Sequence, residues 1–188
     1  MPFVVAGLAI TLITAIAAAD KNRLTDPNDT PGLLDVRDAK WEHVRGKPPA
    51  FTVFTFAAWQ AGDLWDRGWV FVQLDTMFDE DPEYYVLVRS LGGRMDAELF
   101  RIGPSGRGSP VVGVRVWRPS QRAVSVRVPL KRLRFGPSRA YYAWRVISMF
   151  SGEVCPRTCL DRVPNHGTEV QWRPGMSPTP SPTASPTP

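Results

Sequence analysis

Hydrophobic and polar positions alternate in short runs along most of this chain, and almost nowhere recur at the spacing of a helix. In RAVSVRVPL, Val124, Val126 and Val128 fall on one face and Ser125 and Arg127 on the other, the pattern of a half-buried strand. Val112, Val114 and Val116 likewise oppose Val111, Gly113, Arg115 and Trp117. The stretch Gly68 to Arg89, GWVFVQLDTMFDEDPEYYVLVR, reads as two strands, 69–74 and 84–88, joined by an acidic turn holding Asp75, Asp79, Glu80, Asp81 and Glu83. Both faces of the first strand are apolar, Trp69 and Phe71 against Val70, Val72 and Leu74, which predicts a strand in the middle of a sheet.

The same reading predicts strands near 34–44, 50–57, 69–75, 84–90, 95–102, 110–117, 122–128, 140–149 and 168–173. Turn residues separate them: Gly46-Lys47-Pro48-Pro49, Gly92-Gly93, Gly103-Pro104-Ser105-Gly106, Arg118-Pro119-Ser120 and Gly136-Pro137-Ser138. Eight or nine strands with this punctuation predict an all-β fold, an antiparallel, jelly-roll-like β-sandwich. Residues 57–68 interrupt the series with room for a helical turn, and a second short turn is expected at 130–135, after Pro129.

The two ends read differently. Residues 3–19 are an uninterrupted apolar run closing on Ala17-Ala18-Ala19, which predicts an export signal over 1–19, or a membrane anchor if it is not cleaved. No Lys or Arg precedes the run, a departure from the usual signal. Residues 174–188 are a Pro/Ser/Thr-rich tail of the kind that stays extended and disordered. The folded unit is therefore expected over 20–173, a single domain outside the cell or at its envelope.

Charge is distributed unevenly. Asp20 to Glu98 holds 15 acidic and 9 basic residues, whereas Leu99 to Gly152 holds 11 basic residues and no acidic one. Two readings stand: the halves complement each other within one sandwich, or the basic half presents a face to an anionic partner. Export makes nucleic acid the wrong partner and a glycan, a wall polymer or a protein the right class.

Candidate chemistry follows. Cys155 and Cys159 are the only cysteines, and in an exported chain so close a pair is expected as a disulfide, a clip worth about 2 kcal/mol that pins a loop before the last strand. The competing use of these two thiols is a metal site with His166 and Asp161. Asp26, Asp29 and Asp35 in DPNDTPGLLD, with Asn28, and Asp75 and Asp79, with Asp81, in LDTMFDED are hard oxygen donors of the kind Ca²⁺ takes from sandwich loops. Solvated acidic turns are the ordinary alternative, and Asn28-Asp29-Thr30 is also a glycosylation sequon. Trp59 and Trp65 flank the irregular segment and are the candidates for stacking on a sugar, while Trp41, Trp69, Trp117, Trp144 and Trp172 fall inside strands and read as core. His43 and His166 are accompanied by no nucleophile elbow, HExxH or phosphate-binding glycine loop, so the sequence offers no catalytic set.

The succession DPNDTPGLLDVRDAKW, FTVFTFAAW, WVFVQLDT and YYVLVRS resembles the secreted β-sandwich domains of actinobacterial proteins, similar to family 9 carbohydrate-binding and DOMON-type domains. The resemblance implies a sandwich that binds rather than catalyses, often with calcium. It assigns neither the sugar-clamping tryptophans nor the haem-binding Met and His of DOMON relatives to positions of this chain. The expected function is a non-catalytic binding module at the cell envelope for a glycan or an anionic wall polymer. The alternatives are a structural or protein-interaction domain with a basic face, and a hydrolase whose site carries no recognised motif.

Overall fold

The structure is a computed structural model that describes residues 23–44, 46–60, 68–136, 141–152 and 154–172. The expected signal segment, the Pro/Ser/Thr tail and Trp65 lie outside the described residues. Among the described residues twelve strands form two antiparallel sheets: β1 (Arg23–Thr25), β2 (Val36–Glu42), β3 (Ala50–Thr55), β4 (Gly68–Asp75), β5 (Tyr84–Leu91), β6 (Arg94–Ile102), β7 (Gly108–Gly113), β8 (Val116–Ser120), β9 (Ala123–Arg127), β10 (Tyr141–Gly152), β11 (Cys155–Val163) and β12 (Glu169–Trp172). The first sheet has the order β1-β2-β3-β9-β8, and the second β11-β10-β4-β5-β6-β7, with β12 sharing the outer side of β10 with β11. This is the expected β-sandwich, and a single 3₁₀ turn at Leu130–Arg132 follows Pro129 as its sequence predicts.

Alternation decides what each strand buries. Val70, Val72 and Leu74 of β4 are buried, as are Val86 and Val88 of β5 and Leu99 of β6, and they face Ala39 and Trp41 of β2, Phe51 and Val53 of β3, and Val124 and Val126 of β9. Strand β4 lies between β10 and β5, as its two apolar faces predict. Across the sandwich Phe51 meets Trp144 edge-on at 5.1 Å, and the Trp41 indole N–H donates to the Tyr142 hydroxyl at 2.7 Å. That bond satisfies two polar atoms the core would otherwise strand.

Three expectations need correction. The run 110–117 is two strands in different sheets. Val114 N–H still donates to Ala97 of β6 at 2.9 Å, whereas the carbonyl of Arg115 accepts from Arg127 of β9 at 3.0 Å, so pairing changes sheet between adjacent residues. An unbroken valine alternation conceals such a crossing because both sheets bury the same parity of side chain. Second, the disulfide does not pin a loop: Cys155 and Cys159 both belong to β11, which pairs with β10 from Val146 to Gly152. Third, β1 precedes the first expected strand and pairs Arg23 to Thr25 with Lys40 to Asp38. Neither β1 nor β11 has much apolar alternation, since both are edge strands.

Candidate functional site

The segment from the end of β1 to the start of β2 lies against β11 and carries acids into the space between them. Asp26, Asp29, Asp35 and Asp161 each place a carboxylate oxygen so that the four lie within 4.8 Å of one another. Asp26, Asp35 and Asp161 are buried, and Asp29 is exposed at the rim. The backbone fixes this approach: Asp161 accepts from Val36 N–H at 2.6 Å, Ser148 donates to the carbonyl of Leu34 at 2.6 Å, and the amide of Phe56 donates to that of Asp35 at 3.0 Å. At Gly32, with φ of +119°, the chain turns beneath Phe150 and Cys155, and the Cys155 sulfur lies 2.9 Å from the Pro31 carbonyl oxygen. As a disulfide sulfur carries no proton, that is a packing contact rather than a hydrogen bond.

The electrostatics of this cluster are unfavourable as they stand. No well-formed hydrogen bond reaches either oxygen of Asp35 or Oδ2 of Asp26, although all three atoms are shut off from solvent; the Thr30 amide lies near Asp35 and eases its charge without meeting bonding geometry. Burial, reinforced by the charge of Asp161, pushes the Asp26 carboxyl up to about 7 and that of Asp35 to about 6. Burial raises Asp161 as well, against the pull of the Val36 and Arg162 amides. A shallow hollow of about 490 Å³, lined by Asp29, Thr30, Asp161, Arg162, Asn165 and His166, opens the cluster to solvent.

These raised values set a pH dependence for the cation-free protein. Folded Asp26 and Asp35 hold protons that the unfolded chain, with carboxyls near 3.8, has already released. Their contribution to stability is thus full below about pH 4 and is lost as pH rises through 6 to 7. With a chelator present, the melting temperature is expected to fall from pH 4 to pH 7, in a protein whose facing groups at this point are Asp29, Asp161, Arg162 and His166. A melting temperature that rises over that interval would contradict the burial of these carboxylates.

The other expected acids stand apart. Asp75, Asp79 and Glu83 come together on the β4–β5 turn without Asp81. The oxygens of two of them are already employed there: Asp75 accepts from the amides of Phe78 and Glu80, and Glu83 accepts from Thr76 N–H at 2.7 Å, its hydroxyl at 3.0 Å and Met77 N–H at 3.1 Å. These bonds hold a tight turn in which Phe78 and Glu80 have positive φ, so the acids of this segment close a hairpin.

The cysteines are joined to each other, which corrects the metal site written on their thiols with His166. Trp59 does not offer a stacking surface: it is 3% exposed, its indole donates to Thr55 Oγ1 at 3.1 Å, and the Arg118 guanidinium covers its ring at 3.7 Å. Arg118 also donates to the carbonyls of Trp59 at 2.6 Å and Gln121 at 2.7 Å, tying the start of the irregular segment to the β8–β9 turn.

Among the described residues Trp69 and Trp117 are the half-buried indoles, although their place inside strands assigns both to the core. Trp117, on edge strand β8, is half-buried, with the guanidinium of Arg115 at 5.7 Å and that of Arg127 at 5.3 Å from its ring. Arg127 reaches on to donate to the Pro48 carbonyl at 2.9 Å. Pro48 lines a groove of about 560 Å³ whose walls carry His43, Lys47 and Lys131 over a floor of Pro49, Pro129 and Leu130. A continuous basic and aromatic surface therefore runs from Arg115 to Lys131. Ion pairs within the acidic half, Arg23 and Arg37 with Asp38, Lys40 with Glu42, and Arg89 with Asp96, leave this surface untouched. Elsewhere Phe71, Tyr85 and Phe100 form a half-buried ladder across β4, β5 and β6 on the outer face of the larger sheet. No family model matches the chain, and neither a curated protein nor a solved structure is found to be similar to it.

Proposed function

We propose that the chain is an exported, non-catalytic binding module whose ligand is an anionic polymer of the cell envelope. The observation that supports it is the groove of His43, Lys47 and Lys131 continued by Trp117 between Arg115 and Arg127. Spaced cations suit a chain of repeating negative charge, and an indole face beside them suits the apolar side of a sugar ring or a backbone methylene. The Cys155–Cys159 disulfide fits an oxidising compartment, in keeping with the apolar leader. A second reading, a neutral glycan on the Phe71–Tyr85–Phe100 ladder, rests on this run of rings, with Phe71 edge-on to Tyr85 and Tyr85 stacked on Phe100.

Retention on an acidic polysaccharide, on inorganic polyphosphate and on a neutral insoluble glycan tests both. Retention on the anionic polymers is expected at low salt and should fall steeply toward about 0.5 M salt, because exposed charges are screened. The double substitution Lys47→Glu and Lys131→Glu should abolish it, and Trp117→Ala should weaken it about tenfold. Retention on the neutral glycan that resists salt and is lost in Tyr85→Ala would favour the second reading. Binding to none of the three would sink both.

A further inference from the structure

We propose that Asp26, Asp29, Asp35 and Asp161 hold one divalent cation, calcium among the common ions, and that this ion clasps the segment before β2 to β11 and so joins the two sheets. The inference stands apart from the polymer groove, and neither fails with the other. Four acids close together are not in themselves a site, since such groups usually spread into solvent. Here Asp35 is 2% exposed, both of its oxygens are enclosed, and neither is held in a well-formed hydrogen bond, the Thr30 amide only approaching the carboxylate. A buried carboxylate without well-formed hydrogen bonds is costly, and nothing in the packing explains why an asparagine or an apolar residue is not used.

The donor set selects the ion. It is oxygen only, which suits hard cations and excludes the thiolate and imidazole preferences of zinc and copper. Two oxygens on opposite sides of a calcium ion stand about 4.6–5.2 Å apart, and on opposite sides of magnesium about 4.0–4.2 Å. The four oxygens here lie within 4.8 Å of one another, close enough for one ion to bridge them, and a site supplied mainly by buried protein carboxylates suits calcium better than magnesium, which gives up its waters reluctantly. The exposed rim at Asp29 and the hollow beyond it leave positions for water or a carbonyl to complete the seven or so ligands that calcium takes.

The donors also show what the ion would do. Asp26 follows β1 and Asp35 precedes β2, both in the smaller sheet, while Asp161 belongs to β11 at the edge of the larger one. The Val36 amide on Asp161 and the Ser148 hydroxyl on the Leu34 carbonyl are direct hydrogen bonds already bridging the same gap. A cation here neutralises the charge that burial isolates and fastens both edge strands at once.

The test uses the full chain, stripped with a chelator, with calcium chloride and magnesium chloride added in separate titrations and melting followed by circular dichroism. At about a hundredfold excess over its Kd, calcium should raise the melting temperature by about 5–10 °C. Asp35→Asn and Asp161→Asn should each weaken calcium by more than about tenfold, because ligand charge sets affinity. Asp35→Asn should nonetheless fold at least as stably as the stripped parent, since it removes an unpartnered buried charge, which keeps loss of binding distinct from loss of fold. Asp79→Asn should leave the calcium response intact. The proposal is overturned by a stripped protein indifferent to millimolar calcium, by a response that survives in Asp35→Asn and Asp161→Asn, or by an equal rise with magnesium at the same concentration.

Discussion

Trp144→Ala will destabilise the domain by about 3–5 kcal/mol, a large share of the 5–15 kcal/mol that folded domains usually possess. Trp144 is completely buried at the middle of β10, the strand that pairs with β4, β11 and β12 together. Its ring meets Phe51 of the opposite sheet, so truncation opens a cavity where the two sheets share an aromatic contact across the core. Neighbouring side chains on strands held by ladders on both sides cannot collapse far into that space. Trp144→Phe separates the causes. The Trp144 indole N–H has no acceptor among the described residues, and phenylalanine removes that orphan donor while keeping most of the ring volume. Urea unfolding should show Trp144→Phe within about 1.5 kcal/mol of the parent. Equal losses in the two variants would mean that the indole N–H is satisfied and that its hydrogen bond, rather than ring volume, governs the position.

What the sequence makes legible follows from where apolar alternation reaches. Strands that bury one face, such as β4 with Val70, Val72 and Leu74, announce themselves, and so does the sandwich they require. Strand β11 hides because CPRTCLDRV places exposed Pro156, Arg157, Thr158 and Leu160 between a few buried residues. The same blindness separates Asp161 from its companions. Asp26, Asp29 and Asp35 are neighbours in one acidic segment, whereas Asp161 lies over a hundred residues away on an edge strand with no local pattern to mark it. The tryptophans fail for the opposite reason. Position inside a strand assigns Trp117 to the core, although the alternation sets it with Arg115 opposite the valines, and position in a break assigns Trp59 to the surface. The Arg118 contact that buries Trp59 and the edge position that opens Trp117 are both products of sheet order, which composition does not encode.

Gly32→Ala provides the second large effect, and it tests whether the turn carrying the acids is set by backbone rather than by charge. At φ of +119° an L side chain is strained, which alone costs about 1–3 kcal/mol. A Cβ at this position would stand 2.8 Å from Cδ1 of Phe150 and 3.4 Å from the Cys155 sulfur. Phe150 is buried and the disulfide is tethered at both ends, so neither yields cheaply, and overpacking adds about 1–3 kcal/mol. Gly46→Ala is the control: φ there is +76°, but nothing lies within 4 Å of the added carbon, so only the backbone cost applies. Guanidinium unfolding should therefore rank Gly32→Ala well below Gly46→Ala. Because Gly32 lies between Asp29 and Asp35, its displacement should also separate their carboxylates and weaken calcium in the same sample. If Gly32→Ala matched Gly46→Ala in stability, the close approach of this turn to Phe150 and the disulfide would be wrong. The clasp between the two sheets would then have to be sought in the hydrogen bonds of Asp161 with the Val36 amide and of Ser148 with Leu34.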